Sequence, residues 1–265
     1  VDTSAGETKK ISLANLPLSD AAIEQSYPYT TDFQSGTEQT RNLTSITNSD
    51  GYNGNGNLTS VYVGSNVTSI GSNAFYNCTS LTSINIGNSV TSIGSGAFNY
   101  CSSLTSVIIP NSVTSIESST FRLCMSLPSI NIPDSITSIG SNAFYYCPSL
   151  PSITIPDSVT SIGDDAFYSC TGLTSATIGN SVTSIGSRAF YVCSSLPSIT
   201  IPDSVTSIGS SAFYQCSSAA TINCLATTAP TIGSNVFQSV AATDIHVPVG
   251  ATGYGTTYGG LTVVA

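Results

Sequence analysis

Asn88–Pro110 reads NSVTSIGSGAFNYCSSLTSVIIP, and the stretch that begins at Asn111 says nearly the same thing again. Set out at a step of 23 residues, the chain separates into columns. Leu58, Leu81, Leu104, Leu127, Leu150, Leu173 and Leu196 open successive units. Three residues on stand Val61, Ile84, Val107, Ile130, Ile153, Ala176 and Ile199, and two further on stand Val63, Ile86, Ile109, Ile132, Ile155, Ile178 and Ile201. This Leu-x-x-Ile-x-Ile segment ends in alternation and reads as a short strand with one buried face. Gly-Asn, Pro-Asn or Pro-Asp follows, as at Pro133-Asp134, which is turn chemistry. Val-Thr-Ser-Ile-Gly, as in Val90–Gly94, reads as a second extended piece. The Ser-x-Ala-Phe-x-x-Cys that closes each unit, as in Ser141–Cys147, reads as a single helical turn with Ala143, Phe144 and Cys147 on one side.

A unit this small cannot offset its own chain entropy. It folds only when neighbouring coils cover its flanks, so the repeat predicts a stack rather than two ordinary domains in the 265 residues. The ends differ from the middle. Asn42–Ile46 reads as a degenerate earlier strand, separated from Leu58 by a Gly/Asn-rich loop over Asp50–Asn57. Residues 1–41 hold most of the Lys and Glu, with weak apolar alternation over Ile11–Leu18. Later, Ala219 replaces the opening Leu, Phe237 arrives one residue late, and Ile245-His246-Val247-Pro248 leads into a Gly/Tyr-rich tail. The expected organisation is an N-terminal arm, degenerate repeat and cap over 1–57, seven to eight repeats over 58–224, and a C-terminal cap over 225–265. Both caps are expected to shield open sheet edges.

The cysteines follow the same step: Cys78, Cys101, Cys124, Cys147, Cys170, Cys193 and Cys216. Stacked coils would hold them about 5 Å apart in one column, but parallel side chains do not meet the geometry of a disulfide. A ladder of buried thiols is expected, with Cys224 in a column otherwise filled by Ile. Only 7% of residues are charged and the net charge is −9. Arg and Lys are too sparse to grip a phosphate backbone, so nucleic acid is not an expected partner. No apolar run approaches the ~20 residues needed to span a bilayer. The numbering begins at Val1 with neither an initiator Met nor a signal-peptide core, which reads as a mature or trimmed chain.

The pattern Leu-x-x-Ile-x-Ile-Pro-x-x-Val-x-x-Ile-Gly-x-x-Ala-Phe-x-x-Cys, copied seven times over 58–224, strongly resembles the BspA-type leucine-rich repeat family. The run from Cys224 through Ala229-Pro230-Thr231-Ile232 to Val247–Gly250 is similar to that family's closing segment. The resemblance implies a curved, right-handed leucine-rich-repeat solenoid with a parallel β-sheet on one face. It also implies a secreted or surface-attached protein used in adhesion and protein binding. Exposed positions in this family are commonly varied and charged, whereas here they are nearly uniform Ser and Thr.

Catalysis has little to stand on. His246 is the one histidine, so any Ser-His or Cys-His nucleophile would depend on it. Asp134, Asp157 and Asp203 share a turn column with Asn88, Asn111 and Asn180. That interchange fits turn-forming Asx better than paired acids or a calcium site. No zinc spacing, phosphate loop or dinucleotide fingerprint is present, and no cofactor is expected. Three surface ladders are the candidates for function. Thr68, Thr91, Thr114, Thr137, Thr160, Thr183 and Thr206 form an unbroken column, followed by Ser69 to Ser207; such an array could order water or ice, or satisfy backbone groups. Tyr76, Tyr145, Tyr168, Tyr191 and Tyr214 could stack on sugars or on another copy, or lie half-buried. The strand surface from Ser60 to Ser198 is flat and uncharged. Sequons at Asn42, Asn57, Asn66 and Asn77 are possible glycosylation sites.

The expected function is a non-enzymatic extracellular or cell-surface protein making protein contacts in adhesion or surface architecture. The partner is another protein or a second copy, joined end to end or side by side into a filament. Near-identical repeats, low charge and an N-terminal arm able to pair with a neighbour's edge favour self-association. The alternative is an ice- or glycan-binding module using the Thr or Tyr ladder.

Overall fold

Each 23-residue unit makes one coil, and equal columns fall in register between coils: Ser60 pairs with Ser83, Val61 with Ile84 and Val63 with Ile86. The computed structural model describes residues 30–34, 37–41 and 43–265. In it the repeats stack as a parallel β-solenoid of about nine turns. The interior is one continuous cluster from Ile46 to Leu261, filled by the Leu, Ile, Val, Ala, Phe and Cys columns. A fully buried side chain of this size contributes roughly 1.5–3 kcal/mol, and no coil could bury its set without neighbours. The Phe rings stack from Phe75 to Phe237 with centroids 5.0–5.8 Å apart, and Phe237, one residue late in sequence, still joins the pile.

Three backbone ladders connect the coils, and they differ in continuity. On the strand face, Leu58–Val63, Ser83–Ile86 and Ser106–Val107 pair in parallel. Ser152–Thr154 pairs only with Ser175–Thr177, and a last sheet begins at Ser198–Ile201. Each break has a proline at its second position. Thr82 N–H donates to Thr59 O, Thr105 to Thr82 O and Thr174 to Pro151 O; Pro128, Pro151 and Pro197 have no N–H to give.

The Ser-Ile ladder behind the turns also breaks once, between Ser92–Ile93 and Ser115–Ile116. At the end of this piece the coils are so close that a Cβ on Gly94 would lie 2.5 Å from Ser72 N, and one on Gly163 2.5 Å from Ser141 N. Glu117 occupies that column. Its side chain cannot fit against Gly94, so the coil stands off and the ladder opens there.

The third ladder is the turn face, and here the sequence-based expectation needs correction. Among the described residues there is no helix. Ser141–Cys147 forms overlapping turns in which alternate amides serve different partners. Tyr145 N–H closes a turn onto Asn142 O, while Asn142, Phe144 and Tyr146 donate to Asp164 O, Ala166 O and Tyr168 O of the next coil. Two left-handed residues per coil set this up, such as Asn142 (φ 58°) and Tyr146 (φ 57°). They turn every second N–H outward along the solenoid axis, which an α-helix would not do. Three such bonds cross every junction from 73–77 through 211–215 to 234–238.

The ends are closed by antiparallel pairs. Thr30–Gln34 lies antiparallel on Leu58–Val63, with Thr37–Arg41 outside it. Thr30–Gln34 therefore pairs with the chain's own first coil. Thr257–Tyr258 closes Leu261–Val264 at the other end. Ile11–Leu18 and Asn42 lie outside the described residues.

Candidate interaction surface

The threonine column is exposed throughout, and its hydroxyls are already engaged. Thr137 Oγ1 donates to Thr114 O at 3.1 Å, Thr160 to Thr137 O at 3.2 Å, Thr183 to Thr160 O at 3.1 Å and Thr206 to Thr183 O at 3.1 Å. Thr91 and Thr68 do the same two and three coils before Thr137. Thr114, beside the opening at Glu117, makes no such bond. The array thus reinforces the backbone ladder, and its hydroxyl protons are directed along the protein rather than outward.

Tyr145, Tyr168, Tyr191 and Tyr214 form a single half-buried pile, with centroids 4.6, 4.8 and 4.9 Å apart and planes within 9° of parallel. Arg122 closes one end, its guanidinium 4.9 Å from the Tyr145 centroid. Tyr76 shares the column, but Asn99 and Arg122 separate it from the pile. Burial, and then the phenols of Tyr145 and Tyr191, push the Tyr168 phenol above its ordinary pKa. Since the rings face one another, they present edges and hydroxyls to solvent, and sugar stacking on their faces is closed off. Two neighbours that the column reading passed over complete the ridge. Tyr146 is 43% exposed, and Arg188 pairs with Asp165 at 2.8 Å while staying over half exposed. The signal was present as the second residue of Tyr145-Tyr146 and as the few charged side chains of this face.

The strand face carries exposed Ser129, Asn131, Ser152, Thr154, Ser175, Thr177, Ser198 and Thr200, with a few large apolar side chains, Ile108 and Leu225 among them, standing out. It is concave between 154–157 and Thr200, where a groove of about 510 Å3 opens.

The groups that chemistry would need are dispersed or sealed. All eight cysteines are free and buried. Each thiol in the column donates to the Phe carbonyl of the coil before it, as Cys147 Sγ does to Phe121 O at 3.2 Å, while Cys78, in the first coil, donates to Tyr52 O. Burial pushes the Cys170 and Cys216 thiols up to about 12 and Cys78 to about 11, so thiolate, the reactive and metal-binding form, is suppressed. Cys224, the last residue of the repeats, sits beside Tyr254, whose hydroxyl donates to Ala226 O at 2.7 Å with Cys224 Sγ at 3.2 Å. His246 Nε2 lies 3.2 Å from Asp244 Oδ1 and its side chain is about half exposed, whereas every thiol is buried. Among the described residues no three His, Cys, Asp or Glu side chains come together as a metal site. Asp134, Asp157 and Asp203 are exposed turn residues; Asp157 Oδ1 accepts the Asn180 N–H at 2.7 Å. Of the sequons, Asn57 and Asn66 are exposed and Asn77 is half-buried in a left-handed conformation. No helix among the described residues is long and apolar enough to cross a membrane.

Comparison with known proteins agrees with this architecture. No curated protein sequence matches the chain. A leucine-rich repeat protein of Bacteroides ovatus, solved by crystallography, is 28% identical with a TM-score of 0.67 over 85% of this chain and 59% of its own. The chain therefore spans about 59% of the length of that relative. A leucine-rich repeat protein of T. pallidum is 27% identical with a TM-score of 0.50, covering 68% of this chain and 75% of its own. One from Eubacterium ventriosum, 18% identical with a TM-score of 0.53 over 81% of this chain and 51% of its own, shares the fold. The family model for the BspA type leucine rich repeat region matches residues 44–170 and 137–257. With nearly every coil inside those two matches, the chain belongs to the BspA-type leucine-rich repeat family.

Proposed function

We propose that the protein is a non-enzymatic, extracellular contact protein of adhesion or surface architecture, and that the tyrosine ridge is where it meets a second copy of itself, side by side. The observation that carries this reading is the pile of Tyr145, Tyr168, Tyr191 and Tyr214 ended by Arg122. Tyr and Arg dominate protein interfaces, and rings already ordered by stacking lose little freedom on contact. The family supports the surface setting.

Charge supports the choice of partner. Arg122 and Arg188 of the ridge are 66 residues apart, and the exposed turn acids Asp134 and Asp203 are 69 apart, three coils in each case. Arg122, together with Arg188 beyond its pair with Asp165, thus matches the acidic turns of another copy in spacing, in a solenoid with few other charges. Such a contact does not close on itself and would continue into a filament. The hairpins over both sheet ends make end-to-end strand pairing the weaker route.

Light scattering on the whole chain tests this. The expected mass exceeds one chain, falls to one chain in Arg188→Glu, and recovers in Arg188→Glu/Asp203→Arg. A monomer at all concentrations, or an assembly indifferent to Arg188→Glu and to Tyr168→Ala/Tyr191→Ala, would overturn it.

A further inference from the structure

Three local departures from the repeat accompany the groove on the strand face, two of them, Ala176 and Gly179, in its lining. Pro197 withholds the amide that would tie its coil to the one before. Ala176 stands where Ile153 and Ile199 stand on either side, so the inner end is left unfilled and Ala176 is only half-buried. Gly179 replaces the Pro found in both flanking coils, Pro156 and Pro202. The space of about 510 Å3 falls within the ~300–1,000 Å3 typical of small-molecule sites.

Its walls restrict what could occupy it. No cationic side chain lines it, and Asp157 does, so an anion would be repelled. Among the described residues Asp157 has no second and third acid beside it to hold a metal ion. A wholly apolar ligand would strand the hydroxyls and the carboxylate on the rim. What fits is a molecule that alternates C–H patches with hydroxyls. Ala176 and the half-exposed Leu225 offer apolar contact. Thr177, Asn180 and Asp157 offer hydrogen bonds along the same rim. The Asn180 N–H holds Asp157 Oδ1 at 2.7 Å; this orients the carboxylate and leaves Oδ2 to accept from a ligand hydroxyl, a charge-assisted bond.

We propose that this groove binds a neutral saccharide of one or two rings. The site is separate from the tyrosine ridge and does not depend on it, since the ridge lies on the turn face.

Calorimetric titration of the whole protein with four neutral disaccharides (maltose, cellobiose, lactose and chitobiose) tests the assignment. At least one is expected to give saturable heat. Ala176→Ile restores the residue of its column and fills the inner end; it is expected to weaken binding at least about tenfold while the thermal midpoint stays level or rises. Asp157→Asn keeps the turn chemistry, since Asn holds that column at Asn88, Asn111 and Asn180, and is expected to weaken binding as well. Tyr168→Ala is expected to leave it unchanged. The proposal is overturned if none of the four binds, or if Ala176→Ile binds as the parent chain does.

Discussion

On the turn face three amides cross every junction from 73–77 to 234–238, whereas on the strand face the ladder stops at Pro128, Pro151 and Pro197. The two faces belong to the same coils and the same core, yet one is a continuous spine and the other a set of short sheets. The difference shows where the repeat is held to its pattern. The turn face packs the Phe rings and thiols against its own carbonyls, so a change there is felt by both neighbouring coils. The strand face tolerates prolines and an undersized Ala176, and the groove lies where that tolerance was used.

The sharpest way to break the spine is to charge its thiols. In the folded chain burial holds Cys170 and Cys216 up to about 12, against an ordinary value near 9, and burial raises the others in the column too. Between those values the unfolded chain has lost the proton that the folded chain keeps. The stabilisation is therefore whole below about pH 9 and declines as pH rises toward 12, by about 1.4 kcal/mol per pH unit for each buried thiol. With seven such thiols in one column, a native stability of ~5–15 kcal/mol is expected to vanish within roughly 0.5–1.5 pH units above 9. Circular dichroism should show a steep alkaline transition; a fold unchanged at pH 11 would refute the thiol account.

A smaller effect compares the faces directly. Phe144→Ala removes a fully buried ring between Phe121 and Phe167 and is expected to cost about 3–5 kcal/mol. Thr154→Ala, on the exposed strand face, should stay within about 0.5 kcal/mol. Denaturant midpoints measure both, and similar losses would erase the distinction drawn here.

The smallest expected effect sharpens the comparison by repair. Glu117→Gly should let the coil close on Gly94 and rejoin Ser92–Ile93 to Ser115–Ile116. Two regained bonds at about 0.5–1.5 kcal/mol each oppose a glycine cost of about 0.5–1 kcal/mol, so the net gain is about 1 kcal/mol, within a range of roughly 0–2.5 kcal/mol. Hydrogen exchange is the better readout: the Thr114 amide should become protected. If it exchanges as before, Glu117 is not what holds the ladder open.

The period, the core columns and the thiol ladder were legible in the sequence because apolar side chains recur at a fixed step and burial follows from them. Ala143, Phe144 and Cys147 were rightly placed inside. Their backbone was misread, because a spacing of three or four residues suits a helix as well as a chain of turns. Of the two left-handed columns, one carried a weak signal in Asn73, Gly96, Asn142 and Asp165, but the other runs Asn77, Tyr100, Leu123, Tyr146, Ser169, Val192 and Gln215, and most of these residues seldom adopt that region. Glycines would have announced it. The tyrosine column was visible, but not that Tyr76 stands apart or that Arg122 ends the pile, since ring orientation has no linear signature. The groove was hidden for a similar reason: Ala176, Gly179 and Pro197 each read as a minor variation until stacking brought them together.

The sameness of the junctions along the turn face has a consequence for length. Where each coil meets the next through the same three bonds, a unit of 23 residues can be duplicated or lost between any two others and both new neighbours find a familiar partner. Each such event would move the two capped ends nearer or farther by one inter-strand spacing, ~5 Å. The chain is a ruler graduated in coils, whose reach a lineage can reset in a single recombination without rewriting either cap.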